Sequence, residues 1–164
     1  MNKKGFTLIE LLIVIAIISI IAGAVFVALD PLSRFQDTRD ARRYSDASEI
    51  VNAIKISQVD NKGKYIDEIK NATNDEIYLV GTCATGATAA GVTDYCDTDP
   101  TQTACLDLTQ LVTDGYLGVI PVSPDGDGTW TASLSGYTLS KNNKGIITVR
   151  ACESENTDEI MIVR

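Results

Sequence analysis

An apolar run near the amino end constrains this chain more than any other feature. The 19 positions 11–29 contain one side chain with a polar group, Ser19. As an α-helix the run extends about 28 Å at ~1.5 Å per residue, close to the roughly 30 Å hydrocarbon core of a bilayer. The run therefore predicts a membrane-spanning helix. A buried helix of a soluble core is an alternative, although few small domains contain so uniformly apolar a helix.

The charges before the run predict its orientation. Lys3 and Lys4 precede it, and no acidic residue occurs before Glu10. Because positively charged flanks stay on the cytoplasmic side, we expect a single-pass protein with a cytoplasmic amino end and exported residues after Pro31. A secretory signal removed after Ala24 stays open, although the apolar region of such signals usually runs only about 7 to 15 residues.

Glu10 is a carboxylate just inside this segment, where a charge without a partner costs roughly 2.5–3.5 kcal/mol on insertion scales. After Lys4 the sequence has no Lys or Arg until Arg34, so one chain offers no cation at the same depth. A chain cut after Gly5 would expose the Phe6 ammonium about one helical turn from Glu10. The terminus of a neighbouring subunit could lie equally close. Because an unpaired buried charge is strongly penalised, such a pair predicts a fixed axial register between packed helices.

The sequence KKGFTLIEL at residues 3–11, followed by the apolar run, resembles the class III signal of type IV pilins and of type II secretion pseudopilins. The resemblance implies that a membrane-embedded prepilin peptidase cleaves between Gly5 and Phe6 and that Phe6 is N-methylated. It also implies that Glu10 meets the Phe6 amine of an adjacent subunit. The expected product is a homo-oligomeric helical filament, built by pilus assembly machinery in the cytoplasmic membrane.

Helical spacing continues beyond the apolar run. Five residues recur at intervals of three and four: Tyr44, Ala47, Val51, Ile54 and Gln58. A stop signal at 60–63 follows, so residues 31–60 predict an amphipathic helical spine. Pro31 interrupts the helix because proline lacks the donor N–H, and Gly23 weakens it further. These two residues are the predicted helix breaks, and the resemblance implies that this stretch loses helix in a packed filament.

The residues after 60 predict a small, mostly antiparallel sheet. Strand patterns and edge-strand patterns occupy five segments: 77–80, 137–141, 146–152, and the edges 129–134 and 160–163. Leu106, Leu111 and Val112 predict a short helix that ends near Gly115. The predicted core of the sheet consists of four alternating residues: Tyr137, Leu139, Ile147 and Val149.

Together these elements predict an α+β, pilin-like fold. A long N-terminal helix, transmembrane and then amphipathic, packs on a small C-terminal antiparallel sheet, which must bury one face against the helix. The expected organisation has four parts: a leader peptide at 1–5, a transmembrane and filament-core helix at 6–30, the spine at 31–60 and a globular head at 61–164.

Four cysteines fall on the side predicted to be exported, where disulfides persist: Cys83, Cys96, Cys105 and Cys152. An even number in a small head favours two bridges, and four cysteines allow three connectivities. We predict that Cys83 pairs with Cys96 and that Cys105 pairs with Cys152. A zinc site made of the four thiolates is the alternative, although the sequence contains no C-x2-C spacing.

The spine carries charges of both signs, whereas the head is acidic. Four arginines alternate with three aspartates along the spine: Arg34, Arg39, Arg42, Arg43, Asp37, Asp40 and Asp46. We interpret them as solvated helix surface with near-neighbour ion pairs. Residues 71–140 hold nine acidic residues and no Lys or Arg. A contact between the basic spine of one subunit and the acidic head of another is therefore the alternative.

The turn at 125–128 could bind a hard cation. Asp125 and Asp127 alternate with glycines there, and carboxylates with flexible carbonyls suit calcium. The turn lacks the EF-hand spacing, so a plain polar turn is the alternative. Calcium near this segment is known in the pseudopilins that the chain resembles. No other cofactor is expected.

The overall composition excludes several classes of protein. The chain has no His, which removes His-dependent catalysis and the commonest metal ligand. Its formal net charge of -8 gives no support for binding nucleic acid through phosphate contacts. Together with the resemblance of the amino-terminal motif to type IV pilins, these exclusions predict a non-enzymatic structural subunit of a type IV pilus-like filament, membrane-stored and extracellular after assembly. The alternatives are a pseudopilin that forms a periplasmic piston and a membrane-anchored adhesion or binding module.

Overall fold

The computed structural model of the chain describes residues 5–83, 105–124 and 130–164. The chain divides into two units, Met1–Phe35 and Gln36–Arg164. The elements within the described residues are, in chain order, α1 (Leu8–Leu29), α2 (Pro31–Asp60), α3 (Asp67–Asn71), β1 (Ile77–Gly81), β2 (Cys105–Asp107), α4 (Thr109–Thr113), β3 (Tyr137–Lys141), β4 (Ile147–Ala151) and β5 (Met161–Val163). This is the predicted α+β class, a long apolar helix followed by a small sheet.

The first unit contains α1, an apolar helix without a buried residue. It is long and apolar enough to cross a membrane. The Ser19 hydroxyl donates to the Ile15 carbonyl at 2.8 Å, so it leaves no unsatisfied polar group in lipid. The helix runs through Gly23 without interruption. A loss of helix at Gly23 therefore stays a prediction about the packed filament.

The boundary between α1 and α2 lies at Asp30. This residue has a left-handed backbone with φ 37° and ψ 70°, and Pro31 is the first residue of α2. The residue before a proline is disfavoured in the α-helical conformation. A proline in the first turn needs no N–H donor, so it can open a helix that it could not continue.

The end of α2 is the glycine stop that the sequence predicts. Gly63 has φ 86°, a left-handed conformation that a side chain would strain. Its N–H donates to the Gln58 carbonyl at 2.7 Å, which satisfies an acceptor of the last turn. The chain leaves the helix at this point and enters α3.

The second unit contains most of α2 and the head, which is built on a five-stranded mixed sheet in the order β2-β1-β3-β4-β5. β1 and β2 are parallel, and the other neighbouring strands are antiparallel. The strands predicted at 77–80, 137–141 and 146–152 are confirmed as β1, β3 and β4, and the edge strand predicted at 160–163 is confirmed as β5.

Two predictions about the head are wrong. Leu106 lies in β2 rather than in a helix, because it pairs with Val80 of β1 in parallel register. The described part of the predicted edge strand 129–134 is a turn. Thr131 and Leu134 exchange backbone hydrogen bonds of 2.9 and 3.1 Å there, so their N–H groups bond locally instead of joining the ladder.

One face of α2 and one face of the sheet share the main hydrophobic core. Its α2 and sheet members are Ala47, Ile50, Val51, Ala53, Ile54, Tyr78, Val80, Tyr137, Leu139, Ile147 and Val149. All four predicted core residues of β3 and β4 are among them. A smaller cluster of Leu79, Trp130 and Cys152 covers the opposite face. Tyr44, predicted in the helix stripe, is 56% exposed because the buried apolar face begins one turn later at Ala47.

Two glycines allow close packing behind β1. A Cβ atom on Gly81 would lie 2.0 Å from the backbone oxygen of Ser133. A Cβ atom on Gly136, which has φ 80°, would lie 2.6 Å from the Trp130 ring. The missing side chains at these two positions therefore make room for the Ser133 backbone and for the Trp130 ring.

Candidate functional site

The predicted processing site is open to solvent. Gly5 and Phe6 precede α1 in a segment without regular structure, and the Phe6 side chain is 86% exposed. A Cβ atom placed on Gly5 would meet no atom within 4 Å. The bond between the two residues is therefore accessible to a peptidase as far as the described residues are concerned.

Thr7 and Glu10 form a capping box at the start of α1. Glu10 Oε2 accepts the Thr7 N–H at 2.8 Å and the Thr7 hydroxyl at 2.7 Å. The Thr7 hydroxyl in turn accepts the Glu10 N–H at 3.4 Å. Sequence reasoning missed this contact, although Thr7 three positions before Glu10 is the known signature of a capping box.

The capping box fixes where the Glu10 carboxylate lies. It folds back over the first turn of α1 to the amide of Thr7, the residue next to Phe6. Both accepted hydrogen bonds use Oε2. Within the described residues, Oε1 accepts no hydrogen bond and the carboxylate has no cationic partner. One oxygen is therefore available to an ammonium group that approaches the amino end of the helix.

A buried ionic cluster joins α2 to the connection between β4 and β5. We define it by its five charged members: Arg39, Asp40, Arg43, Glu153 and Glu155. Arg43 is fully buried at its centre, and its Nη1 donates to Asp40 at 2.9 Å and to Glu155 at 2.8 Å. The remaining donors bond to Glu153 and to segment 123–124 at 3.1–3.2 Å. All five guanidinium N–H groups are thus used.

Asp40 anchors three consecutive amides of the β4–β5 connection. Its Oδ2 accepts the N–H of Asn156 at 2.8 Å and the hydroxyl of Thr157 at 2.7 Å. The N–H groups of Glu155 and Thr157 also lie 3.1 Å from the carboxylate. Burial alone would raise the pKa of Asp40, but these hydrogen bonds outweigh it and lower the pKa. The side chain is therefore held as an anion.

Two further polar contacts reinforce α2. Arg39 forms a two-pronged ion pair with Glu155, and its Nε donates to Oε1 at 2.7 Å. The hydrogen bond from Arg39, opposed by burial and aided by Arg43, lowers the pKa of Glu155. Tyr137 of β3 donates its hydroxyl to Asp46 at 2.8 Å. Burial, and then the bond to Asp46, raise the pKa of Tyr137.

The interpretation of the spine charges as solvated surface is therefore wrong for Arg43 and Asp40. Both are buried, and Arg43 pairs with acids of its own chain rather than with the head of another subunit. Arg42, in contrast, is exposed and lies 3.8 Å from Asp46. The sequence did contain a signal for the burial of Arg43. This residue precedes Ala47 by four positions and so lies on the core-facing stripe of α2.

The predicted disulfide pairing is also wrong. Cys83 is bonded to Cys105, with Cα atoms 5.7 Å apart. Cys105 is the first residue of β2, which pairs in parallel with β1, and it lies opposite Leu79. Its partner Cys83 follows the last residue of β1 by two positions. Cys152 is disulfide-bonded as well, and not to Cys105. Cys96 lies outside the described residues.

The predicted calcium turn falls outside the described residues as well, because both Asp125 and Asp127 do. Among the residues that the structure describes, no group of three or more acidic or cysteine side chains could hold a metal ion. Calcium at the turn therefore stays a prediction.

Comparison with known proteins bears on the amino-terminal motif and on most of the chain. The family model described as the prokaryotic N-terminal methylation motif matches residues 1–26. The chain is also similar to fimbrial protein Q of Moraxella bovis, at 33% identity over 143 residues, which cover 82% of this chain and 87% of that protein. No solved structure matches the chain. The likeness to the fimbrial protein thus extends beyond the amino-terminal motif into the head.

Proposed function

Because this chain belongs to the type IV pilin family and is a structural subunit of a pilus, we propose that it is made as a prepilin and polymerises through its own amino terminus. Prepilin peptidase cleaves between Gly5 and Phe6, and Phe6 is then N-methylated. The mature subunits form a homo-oligomeric helical filament around a core of α1 helices. In that core, Glu10 of one subunit pairs with the Phe6 amine of the next.

The capping box is the observation that carries this proposal. It holds the Glu10 carboxylate beside the amide of Thr7, with one oxygen available, while Gly5 and Phe6 stay exposed. Cleavage would create an ammonium group at the position that this carboxylate faces. In an apolar core such a pair strongly favours the register that joins its two charges, because a register that separates them leaves each buried alone.

The proposal also includes a membrane orientation. Lys3 and Lys4 keep the amino end in the cytoplasm, so the head lies on the outer side of the cytoplasmic membrane before assembly and on the pilus surface afterwards. The disulfide between Cys83 and Cys105 supports an exported head, since such bonds persist in oxidising compartments.

Amino-terminal mass spectrometry and one substitution test the proposal. Purified filaments should contain a subunit that begins with methylated Phe6. Glu10→Gln keeps a side chain that can complete the capping box but carries no charge. We expect normal membrane levels of this variant and loss of filaments from the sheared surface fraction, as with Glu10→Ala.

Thr7→Val is the matched control, because it removes the capping hydroxyl and leaves the charge of Glu10. Filaments from Thr7→Val but not from Glu10→Gln would assign the effect to charge. Normal filament yield from Glu10→Gln, or a mature subunit that begins at any residue other than Phe6, would contradict the proposal.

An extracellular pilus rather than a short periplasmic piston is the form that we propose. The name of the similar protein, fimbrial protein Q, favours it. Surface shearing of intact wild-type cells separates the two, because only an exposed fibre enters the sheared fraction. Retention of all subunits with the cells would favour the pseudopilin.

A further inference from the structure

An acidic groove lies between α2 and the connection that follows β4. Its volume is about 380 Å³, and six residues form most of it: Asp37, Ala41, Tyr44, Asn156, Glu159 and Ile160. Ala41, Tyr44 and Ile160 give it an apolar wall. Asp37 and Glu159 give it a negative rim. The combination suits a side chain with an apolar stem and a positive end.

The two acids of the rim are not equally compensated. Glu159 pairs with Arg150 at 3.1 Å. Asp37 is exposed and accepts a hydrogen bond from the Asn156 amide at 2.8 Å, but it makes no ion pair within the described residues. Among the described residues, the groove therefore presents one carboxylate without an ion-pair partner.

Exposed lysines lie at the other end of the head. Lys62 and Lys64 flank Gly63 in the turn that ends α2, and every residue of this turn is exposed. Lys144 lies in the β3–β4 turn, which the Tyr65 hydroxyl joins to the α2 turn through a hydrogen bond to the Gly145 carbonyl. None of these three ammonium groups makes an ion pair in the part of the chain that the structure describes.

Acids are present at this end too, but none of them forms an ion pair with Lys62 or Lys64 in the part of the chain that the structure describes. Asp60 and Asp67 line the same surface as Lys62 and Lys64. Asp67 lies 3.9 Å from Lys70 and so has a cation of its own. The turn at 61–64 therefore carries two exposed lysines that make no ion pair within the described residues.

The groove and the lysine turn cannot meet within one subunit. Asp37 lies near the start of α2, and Asp60 ends the helix directly before the lysine turn. The 23 residues from one to the other span about 35 Å along the helix axis at ~1.5 Å per residue. The acidic groove and the lysine turn carry opposite charges at opposite ends of α2. The lysine turn of one copy can therefore meet the groove of another copy in a head-to-tail contact. Such a heterologous contact gives a closed ring or an open helical filament, depending on the rotation between copies. In the proposed filament the rotation does not close, so the contact can repeat along the fibre.

We propose that the lysine turn of one subunit docks in the acidic groove of the subunit above it in the filament. The ammonium group of Lys62 or Lys64 pairs with Asp37, and its methylene stem packs against Tyr44 and the apolar wall. This contact rests on the proposed filament. It adds a contact between the heads of neighbouring subunits to the contact between their α1 helices. Its occupant is a second copy of this chain.

Zero-length crosslinking of native filaments tests the contact. A carbodiimide joins a lysine to a carboxylate only when the two touch, so a link from Lys62 or Lys64 to Asp37 or Glu159 must bridge two subunits. The link between Lys70 and Asp67 is the internal control, because those groups are 3.9 Å apart in one chain. We expect mass spectrometry to find both links.

Recovery of the control link without the intersubunit link would overturn the docking contact and leave the proposed pilus function intact. If wild-type cells make no filaments, the proposed function itself fails, and the contact fails with it. The two failures are therefore distinct.

A charge swap provides an independent readout. Asp37→Lys should reduce the filament yield, and combining it with Lys62→Asp and Lys64→Asp should restore it. Lys70→Asp is the control for an exposed lysine outside the turn. Because all four residues are exposed, the unfolding temperature of the head should change little, and the main loss is the hydrogen bond from Asn156 to Asp37. Full yield from Asp37→Lys alone, or no restoration by the combined swap, would contradict the contact.

Discussion

Arg43 and Glu155 are 112 positions apart in the sequence, yet Nη1 of the arginine lies 2.8 Å from Oε1 of the glutamate. The contact joins the β4–β5 connection to α2. The same helix also contributes apolar residues to the hydrophobic core. The arginine is fully buried, so its charge depends on the surrounding acids for compensation. The stability of the head is therefore sensitive to any change at this position.

Arg43→Met should destabilise the head by about 3–5 kcal/mol, because it leaves buried acids without their cation. Fluorescence of Trp130, the only tryptophan, can follow unfolding of the detergent-solubilised chain in urea. Arg42→Met is the matched control, since that side chain is exposed and its ion pair is long; we expect a change below about 1 kcal/mol. Equal effects of both variants would refute the central role of Arg43.

The stability of the head should fall in acid. The pKa values of Asp40 and Glu155 lie below their ordinary 3.8 and 4.5 in the folded chain. The unfolded chain therefore binds more protons at low pH, so the contribution of both groups is complete above about pH 5 and is lost as the pH falls through 4 and below. Urea unfolding midpoints measured from about pH 5 down to below about pH 4 test how steeply the stability falls with pH. Asp40→Asn should flatten it, and an unchanged slope in that variant would exclude Asp40 as its source.

Gly81→Ala should destabilise the head severely. The new Cβ atom would lie 2.0 Å from the backbone oxygen of Ser133, where no flexible side chain can move aside. The strand or the crossing segment must shift, and the hydrogen bond from Thr82 to Ala132 at 2.8 Å would be strained. Gly118→Ala is the control, because a Cβ atom there meets nothing within 4 Å. Thermal unfolding should separate the two variants by many degrees.

Peptide mapping without reduction should recover a linked peptide that contains Cys83 and Cys105. Cys152 is also disulfide-bonded, and Cys96 is the one other cysteine of the sequence. A second linked peptide should therefore contain Cys96 and Cys152. Replacing Cys83 and Cys105 together by serine should cost about 3 kcal/mol, given their separation of 22 residues. A linked Cys83–Cys96 peptide from native protein would contradict the structure.

Local patterns account for most of the elements that the sequence predicted correctly. The apolar spacing of β3 and β4 reports burial on alternate sides, and Gly63 marks the end of α2, because both depend on neighbours in the chain. The roles assigned to Gly5, Phe6 and Glu10 also come from adjacent residues alone, and they stay predictions. The Thr7 capping box was equally local and could have been predicted.

Long-range relationships account for the errors. The bond between Cys83 and Cys105 depends on the parallel pairing of β1 with β2, and no local pattern states which strands are neighbours. Arg43 was assigned to solvent because it is charged, although its place on the stripe of Ala47 indicated the core. Its acidic partners come from the far end of the chain, so only the fold brings them together.

The helix α1 contributes no side chain to the interior of its own subunit. In storage its surroundings are acyl chains, and in the proposed fibre they are the same helix from other copies. Lipid tails are about as apolar as leucine, so this exchange changes the solvation of the helix little. Growth of the proposed fibre can then proceed near thermodynamic balance, and a subunit can move from the bilayer into the fibre without passing through water.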